Sequence, residues 1–117
     1  MAKLRFKPRV TFNADLKRLA NKDRTIVDEV RSAIDMLLEQ HELPAEFNDH
    51  NLHRHMAGYR EFHLRDTPHG KEPTEINDIL VVYTIDQDEL VLIGIRVGSH
   101  NRLFPGENKL KKYRKKH

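Results

Sequence analysis

Two long apolar segments in the second half of the sequence constrain the fold more than any other feature. Residues 79–85 and 90–97 consist mainly of Val, Ile and Leu, and the polar residues 86–89 separate them. Apolar runs of this length, joined by a short polar turn, are typical of paired β-strands that are buried on both faces. The sequence therefore predicts an antiparallel β-hairpin over these residues.

The residues before this hairpin predict a strand, two helices and a second short strand. Apolar and basic residues alternate over residues 4–12, which predicts a strand interrupted or ended near Pro8, followed by a short helix with Asn13 as its N-cap. Apolar residues at helical spacing over 26–38 predict a longer helix that Pro44 stops. A loop without clear periodicity, a strand over 59–64 and an exposed loop over 66–77 follow.

The order strand, helix, helix, strand, strand, strand predicts an α+β fold. In this architecture a mostly antiparallel sheet packs against an N-terminal helical hairpin. A chain of 117 residues has room for one domain. We expect that domain to span residues 1–104 and a basic C-terminal tail to span residues 105–117.

Positive charge is concentrated at both ends of the chain. Residues 109–117 contain six Lys or Arg and no acid, and the first ten residues contain four and no acid. This distribution predicts a polyanion or an acidic protein as partner. The absence of cysteine excludes a disulfide framework and any zinc site that needs thiolates. No apolar run approaches the ~18 residues of a membrane span, so we expect a cytoplasmic protein with no membrane partner.

Histidine is frequent, with eight residues in 117. His50, His63 and His100 lie in or beside the predicted strands, where a sheet can fix the geometry of a site. Three interpretations are open: general acid–base chemistry, a metal site with His and Asp ligands, or surface and structural histidines. The first suits RNA cleavage, which needs a base for the 2′-hydroxyl, an acid for the leaving 5′ oxygen and a cation for the phosphate. Arg96, four residues before His100, suits the last task.

Six sequence blocks in combination resemble one bacterial family. They are LPA at 43–45, DHNL at 49–52, GYREFH at 58–63, DILVVY at 78–83, RVGSH at 96–100 and LF at 103–104. Their order and internal spacing are similar to those of the YafQ branch of the RelE/ParE toxins. The resemblance runs from about residue 43 to residue 104 and implies a RelE-like sheet.

This resemblance implies an mRNA endoribonuclease toxin of a type II toxin–antitoxin system. Such toxins cut mRNA in the ribosomal A site and so inhibit translation and growth, with no metal and no cofactor. The implied partners are a cognate acidic antitoxin similar to DinJ, mRNA on the ribosome, ribosomal RNA, and operator DNA through the antitoxin complex.

The resemblance also assigns six site residues. The catalytic set is His50, His63, Asp78 and His100, and the substrate-binding set is Arg96 and Phe104. His100 would be the general acid, and His50 or His63 the base or its orienter. Asp78 is the other candidate base. Arg96 would clamp the phosphate and Phe104 would stack on a base of the message.

The sequence departs from the family pattern in two places. Ile79 stands where the family usually has Trp, and the segment between His63 and Asp78 is longer than usual. The longer segment makes Asp66 an alternative to Asp78 as the acid of the site, although the register to Tyr83 favours Asp78. Two other functions stay open: a degenerate module that only binds RNA or antitoxin, which these departures favour, and a ParE-like gyrase inhibitor, against which the histidines argue.

Overall fold

The fold is a five-stranded sheet with a helical pair on one face. A computed structural model describes residues 3–105, so the predicted basic tail lies almost entirely outside the described residues. The strands are β1 (Arg5–Pro8), β2 (His50–Asn51), β3 (Arg60–Arg65), β4 (Ile79–Asp86) and β5 (Val91–Gly98), and the α-helices are α1 (Val10–Lys22), α2 (Thr25–Gln40) and α3 (His100–Leu103). The strand order is β1-β5-β4-β3-β2, with β1 parallel to β5 and the other neighbours antiparallel. The predicted α+β architecture is confirmed.

The predicted hairpin forms the centre of the sheet. All five residues from Ile79 to Tyr83 are buried, which explains why the apolar run is continuous rather than alternating. Ile79, Val81 and Tyr83 belong to the core that α1 and α2 cover. The register of the β4–β5 pair changes between Val82 and Tyr83. This β-bulge leaves Ile95 of β5 without a paired residue on β4.

The start of α1 differs from the prediction. Residues 10–12 are helical, not part of a strand, and the N-cap is Arg9 rather than Asn13. The Phe12 ring packs so closely on β5 that a Cβ atom at Gly94 would lie 2.8 Å from it. The Thr11 hydroxyl donates to the Ile95 carbonyl at 2.7 Å. These contacts with β5 determine the conformation of the first helical turn, since tertiary packing overrides a weak local pattern.

The region after α2 is also more ordered than its sequence suggests. The helix ends at Gln40 because His41 adopts a left-handed conformation, with φ at 62°. Two short 3-10 helices, Ala45–Phe47 and Arg54–Met56, flank β2. In β2, His50 pairs with Glu61 of β3, so His50 lies on the sheet rather than in a loop.

Arg65, at the end of β3, connects the helical hairpin to the loop over residues 66–77, which we call the inserted loop because it is longer than the family pattern predicts. Its Nε donates to Glu29 at 3.0 Å, and its Nη1 donates to Asp23 at 3.0 Å and to the Ile76 carbonyl at 2.8 Å. Its Nη2 donates to the Thr25 hydroxyl at 3.0 Å and also to Glu29. These contacts join the α1–α2 turn, the start of α2 and the loop over 66–77, and we call this group the Arg65 cluster.

The Arg65 cluster predicts a loss of stability in acid. Hydrogen bonds from Thr25 and Arg65 lower the pKa of Asp23, and the Arg65 guanidinium lowers the pKa of Glu29, from ordinary values of 3.8 and 4.5. Because both folded-state values are lowered, their stabilisation is complete above these ordinary values and disappears as pH falls through the folded-state values.

Urea unfolding measured from about pH 6 to about pH 3 should show this fall in the free energy of unfolding. An Arg65→Gln variant should start less stable and lose less over the same pH range, because its carboxylates have lost their partner. An identical pH dependence in both proteins would contradict this assignment.

Candidate active site

The clearest pair in the candidate site joins Asp78 to His100. Asp78 precedes β4 and is only 5% exposed, and His100 begins α3 directly after the N-cap Ser99. The Asp78 carboxylate accepts the His100 backbone N–H at 2.9 Å, and His100 Nδ1 lies 2.8 and 3.0 Å from its two oxygens. Since an ionised carboxylate only accepts hydrogen bonds, His100 Nδ1 carries a proton. Within residues 3–105, this leaves the other ring nitrogen, Nε2, without a hydrogen bond.

His63 forms a second pair next to the first. Its Nδ1 lies 2.7 Å from an oxygen of Asp66, and the side chain is mostly buried on β3. The His63 ring centroid lies 5.5 Å from that of His100 and 6.0 Å from that of His50. The two acids that the sequence left as alternatives therefore each hold a different histidine: Asp78 holds His100 and Asp66 holds His63.

His50 has both of its ring nitrogens occupied. Its Nδ1 lies 2.7 Å from the Asn48 carbonyl, and its Nε2 lies 2.9 Å from Glu61 Oε1. A carbonyl oxygen only accepts, so Nδ1 donates to Asn48, and the Nε2–Glu61 contact is an ion pair when the ring carries a second proton. The other Glu61 oxygen is buried and makes no hydrogen bond within residues 3–105.

Glu61 is the site residue that sequence reasoning missed. It is buried and pairs with His50, and it lies two residues before His63 on β3. Side chains two apart on a strand point to the same face. That spacing was the available signal for placing Glu61 with His63.

A polar network fixes the chain on both sides of His50. The Tyr83 hydroxyl donates to both oxygens of Asp49, at 2.7 and 2.8 Å. Burial, together with the Asp49 carboxylate, raises the pKa of Tyr83, so the hydroxyl stays protonated. Arg60 donates to Asp49 at 3.3 Å and to Asn51 at 2.7 Å. The backbone that presents His50 is therefore anchored to β3 and β4.

Arg96 pairs with a buried acid of α1. Its Nε and Nη2 donate to the two oxygens of Asp15, at 2.6 and 3.2 Å, and this pairing raises the pKa of Arg96. Asp15 also accepts the Val97 backbone N–H at 3.0 Å. Asp15 thus accepts a backbone N–H of β5 beyond Gly94, where the pairing of β5 with β1 ends. Arg96 neutralises the buried Asp15 carboxylate.

Phe104 and Ile79 occupy different environments. Phe104 follows α3 and is partly buried, and its backbone N–H donates to the His100 carbonyl at 2.8 Å. It therefore lies one helical turn beyond His100. Ile79 is fully buried in the core. The position where the family has Trp is therefore closed to a substrate in this chain.

Three of these residues have the geometry to hold a metal ion. One ligand atom from each of His50, Glu61 and His63 lies within 4.8 Å of the others. Imidazole nitrogen and carboxylate oxygen are ordinary ligands for zinc and copper. Such an ion would take one ligand atom from each of the three side chains.

Comparison with known protein families identifies the class to which this sheet and helical hairpin belong, which is that of the toxins of type II toxin–antitoxin systems. The family model described as "Bacterial toxin of type II toxin-antitoxin system, YafQ" matches residues 4–105. The chain therefore belongs to the YafQ toxin family. No curated protein sequence matches it.

Solved structures agree with this membership. YafQ from E. coli strain BL21(DE3) is 25% identical, with 87% of this chain and 99% of that chain covered and a TM-score of 0.66. The E. coli DinJ–YafQ toxin–antitoxin complex contains a chain 25% identical, with 87% and 98% covered and a TM-score of 0.65. A metal-bound toxin from Helicobacter pylori is 28% identical, with 86% of this chain and 99% of that chain covered and a TM-score of 0.69.

Within residues 3–105, no helix is long and apolar enough to cross a membrane.

Proposed function

We propose that this toxin is an endoribonuclease that cleaves mRNA on the ribosome in the cytoplasm by metal-independent acid–base catalysis. The observation that carries the proposal is the Asp78–His100 pair, which directs Nε2 of His100 away from Asp78 while the His63 ring lies beside it. Two imidazoles at this separation suit a reaction in which one group removes a proton and the other donates one.

The proposed reaction uses the message's own 2′-hydroxyl as nucleophile. A base takes the 2′-hydroxyl proton, the 2′ oxygen forms a bond to phosphorus, and the bond from phosphorus to the 5′ oxygen breaks. His100, protonated on both ring nitrogens, gives its Nε2 proton to the leaving 5′ oxygen while Nδ1 stays bonded to Asp78. The products are a 2′,3′-cyclic phosphate and a 5′-hydroxyl, and the proton returns from base to acid through water.

The polar contacts favour His63 over His50 as the base. Among residues 3–105, both ring nitrogens of His50 have a polar partner, Asn48 and Glu61, whereas His63 has one at Nδ1 alone, Asp66. Nε2 of His63 is therefore the nitrogen available to accept a proton. In this assignment Asp78 and Asp66 orient the two imidazoles and are not themselves proton acceptors.

Arg96 and Phe104 are proposed to bind the substrate. Asp15 occupies Nε and Nη2 of Arg96, which leaves Nη1 on a side chain that is 37% exposed. That edge of the guanidinium would contact the scissile phosphate. Phe104, one turn beyond His100, would stack on a base of the message.

A cognate acidic antitoxin is the proposed inhibitor. YafQ from E. coli has been solved in complex with DinJ, and the basic residues of this chain suit an acidic partner of that kind. The same basic residues, at 3–9 and 109–116, would attract ribosomal RNA in a salt-dependent way. Operator DNA would be bound through the toxin–antitoxin complex.

The decisive experiment is induced expression of the toxin without antitoxin, followed by primer extension on a reporter message. Discrete new 5′ ends that require His100 support the nuclease. Growth arrest without cuts would indicate a module that only binds RNA, and DNA damage signalling without cuts would indicate a gyrase inhibitor.

Removal of metal should leave the activity intact. Because ribosomes need Mg²⁺, the purified toxin should be dialysed against a chelator and then returned to a chelator-free ribosome assay. Cleavage should match that of undialysed toxin, and Zn²⁺ added back should inhibit it, since the ion would occupy His50, Glu61 and His63. A dialysed toxin that is inactive until Zn²⁺ is restored would refute the metal-independent mechanism.

A further inference from the structure

Glu75, in the inserted loop, is shared by three cations from two helices. Its Oε1 lies 3.1 Å from Arg18 Nη1 and 3.4 Å from Arg102 Nη1, and its Oε2 lies 3.1 Å from Lys22 Nζ. Arg18 and Lys22 belong to α1, and Arg102 belongs to α3. We call these three side chains the basic triad.

The basic triad lies beside the candidate active site. Glu75 is three residues before Asp78, and Arg102 is two residues after His100. The Glu75–Arg102 and Asp78–His100 contacts therefore join the same two short segments. Anything bound to the triad would lie on the flank of the proposed cleavage site.

One carboxylate does not satisfy this group of cations. Three positive charges converge on a single negative charge, and Nη2 of Arg18 is shielded from solvent without a hydrogen bond among residues 3–105. The Lys22 ammonium, with Arg18 and Arg102, lowers the pKa of Glu75, so the carboxylate is ionised at neutral pH. A phosphodiester also carries one negative charge, and its oxygens accept from the same Arg and Lys donors.

We propose that the basic triad is a binding subsite for a phosphate of the RNA backbone and that Glu75 occupies it in the free protein. The proposal rests on RNA being the substrate, as proposed above. RNA binding would displace Glu75 and release the inserted loop from α1 and α3. Glu75 is thus an internal competitor that weakens RNA binding, and the exposure of Lys22 and Arg102 leaves an open path for exchange.

The test compares two neutralised glutamates of the same loop. Glu75→Gln removes the competitor, whereas Glu72→Gln removes an equal charge from an exposed side chain that forms no ion pair among the described residues. The probe is a fluorescein-labelled single-stranded RNA with 2′-O-methyl groups throughout, which cannot be cleaved by 2′-hydroxyl attack. Kd is measured by fluorescence anisotropy across a range of salt concentrations.

Glu75→Gln should lower Kd by about threefold to tenfold, a modest gain because exposed ion pairs are individually weak. Glu72→Gln should lower Kd by less than about twofold, because it removes one negative charge without freeing a cation of the basic triad. Adding Arg102→Gln to Glu75→Gln should reverse the gain and reduce the slope of log K against log salt by about 0.7. Thermal unfolding should show that all three proteins are folded.

Equal effects of the two glutamate substitutions, or an unchanged salt slope with Arg102→Gln, would overturn the subsite. Binding of an acidic peptide that tightens in Glu75→Gln while RNA binding does not would also overturn it. The outcome is separable from the proposed function, since the probe measures binding alone. A toxin that binds this RNA as expected but never cuts a message would refute the nuclease and leave the subsite standing.

Discussion

Replacing His100 with Gln should abolish growth arrest and reduce message cleavage by about 10²- to 10⁴-fold, the usual contribution of a general acid or base. Gln keeps a polar side chain of similar length but cannot transfer a proton. His100 is partly exposed and outside the hydrophobic core, so the variant should fold. Cleavage is measured by primer extension, and folding by circular dichroism and antitoxin binding.

His53→Gln is the matched control for this substitution. His53 is exposed and precedes the short helix Arg54–Met56 without capping it through its side chain. Its loss should leave toxicity unchanged, which separates the role of one imidazole from the general effect of removing a histidine. A folded His100→Gln protein that is still fully toxic would eliminate the catalytic assignment.

Asp78→Asn tests the role of the carboxylate separately. Asp78 accepts two N–H groups of His100, from the backbone and from Nδ1. A carboxamide has one acceptor oxygen and would place its own N–H₂ group opposite one of these donors, which disturbs the tautomer and orientation of the ring. We expect an intermediate loss of cleavage, smaller than that of His100→Gln.

The β4–β5 hairpin could be predicted because local and tertiary preferences agree there. Residues from Ile79 to Tyr83 favour strands by their side-chain shape and are also buried on both faces of the sheet. The placement of His50, His63 and His100 in one cluster came instead from the family resemblance. Nothing in their spacing alone specified that the rings would lie 5.5 and 6.0 Å apart.

The start of α1 and the partner of Arg96 could not be predicted, because both depend on contacts far along the chain. The alternation of apolar and polar residues over 4–12 continues past Pro8, although residues 10–12 form the first turn of α1. Contacts of Thr11 and Phe12 with β5 favour the helical conformation there. Val10, one of the alternating apolar residues, is 84% exposed. Asp15 and Arg96 are 81 residues apart and meet only in the fold.

The acids of the candidate site show a related limit. The family pattern has one acidic position in this part of the site, so the sequence made Asp66 and Asp78 alternatives. The folded chain uses both, with a third carboxylate, Glu61, on His50. Only the positions of the histidines on β2, β3 and α3 reveal that each has its own acid.

Replacing Arg65 with Ala should lower the free energy of unfolding more than His100→Gln or Glu75→Gln does. The change leaves Glu29 and the Ile76 carbonyl without their donor and unties the inserted loop from the helical hairpin. Losing a half-buried, multiply bonded guanidinium should lower the free energy of unfolding by about 2–4 kcal/mol. Urea unfolding at neutral pH measures this difference.

Arg65→Lys distinguishes geometry from charge in the same cluster. Lysine keeps the positive charge but lacks the planar group that reaches Glu29 through Nε and Thr25 through Nη2 at the same time. We expect it to recover less than half of the lost stability. Arg31→Ala is the control, since Arg31 is exposed on α2 and its loss should change the free energy of unfolding by about 0.5 kcal/mol or less. Full stability in Arg65→Lys would mean that charge alone holds the cluster together, and the fork of hydrogen bonds around Arg65 would then be dispensable.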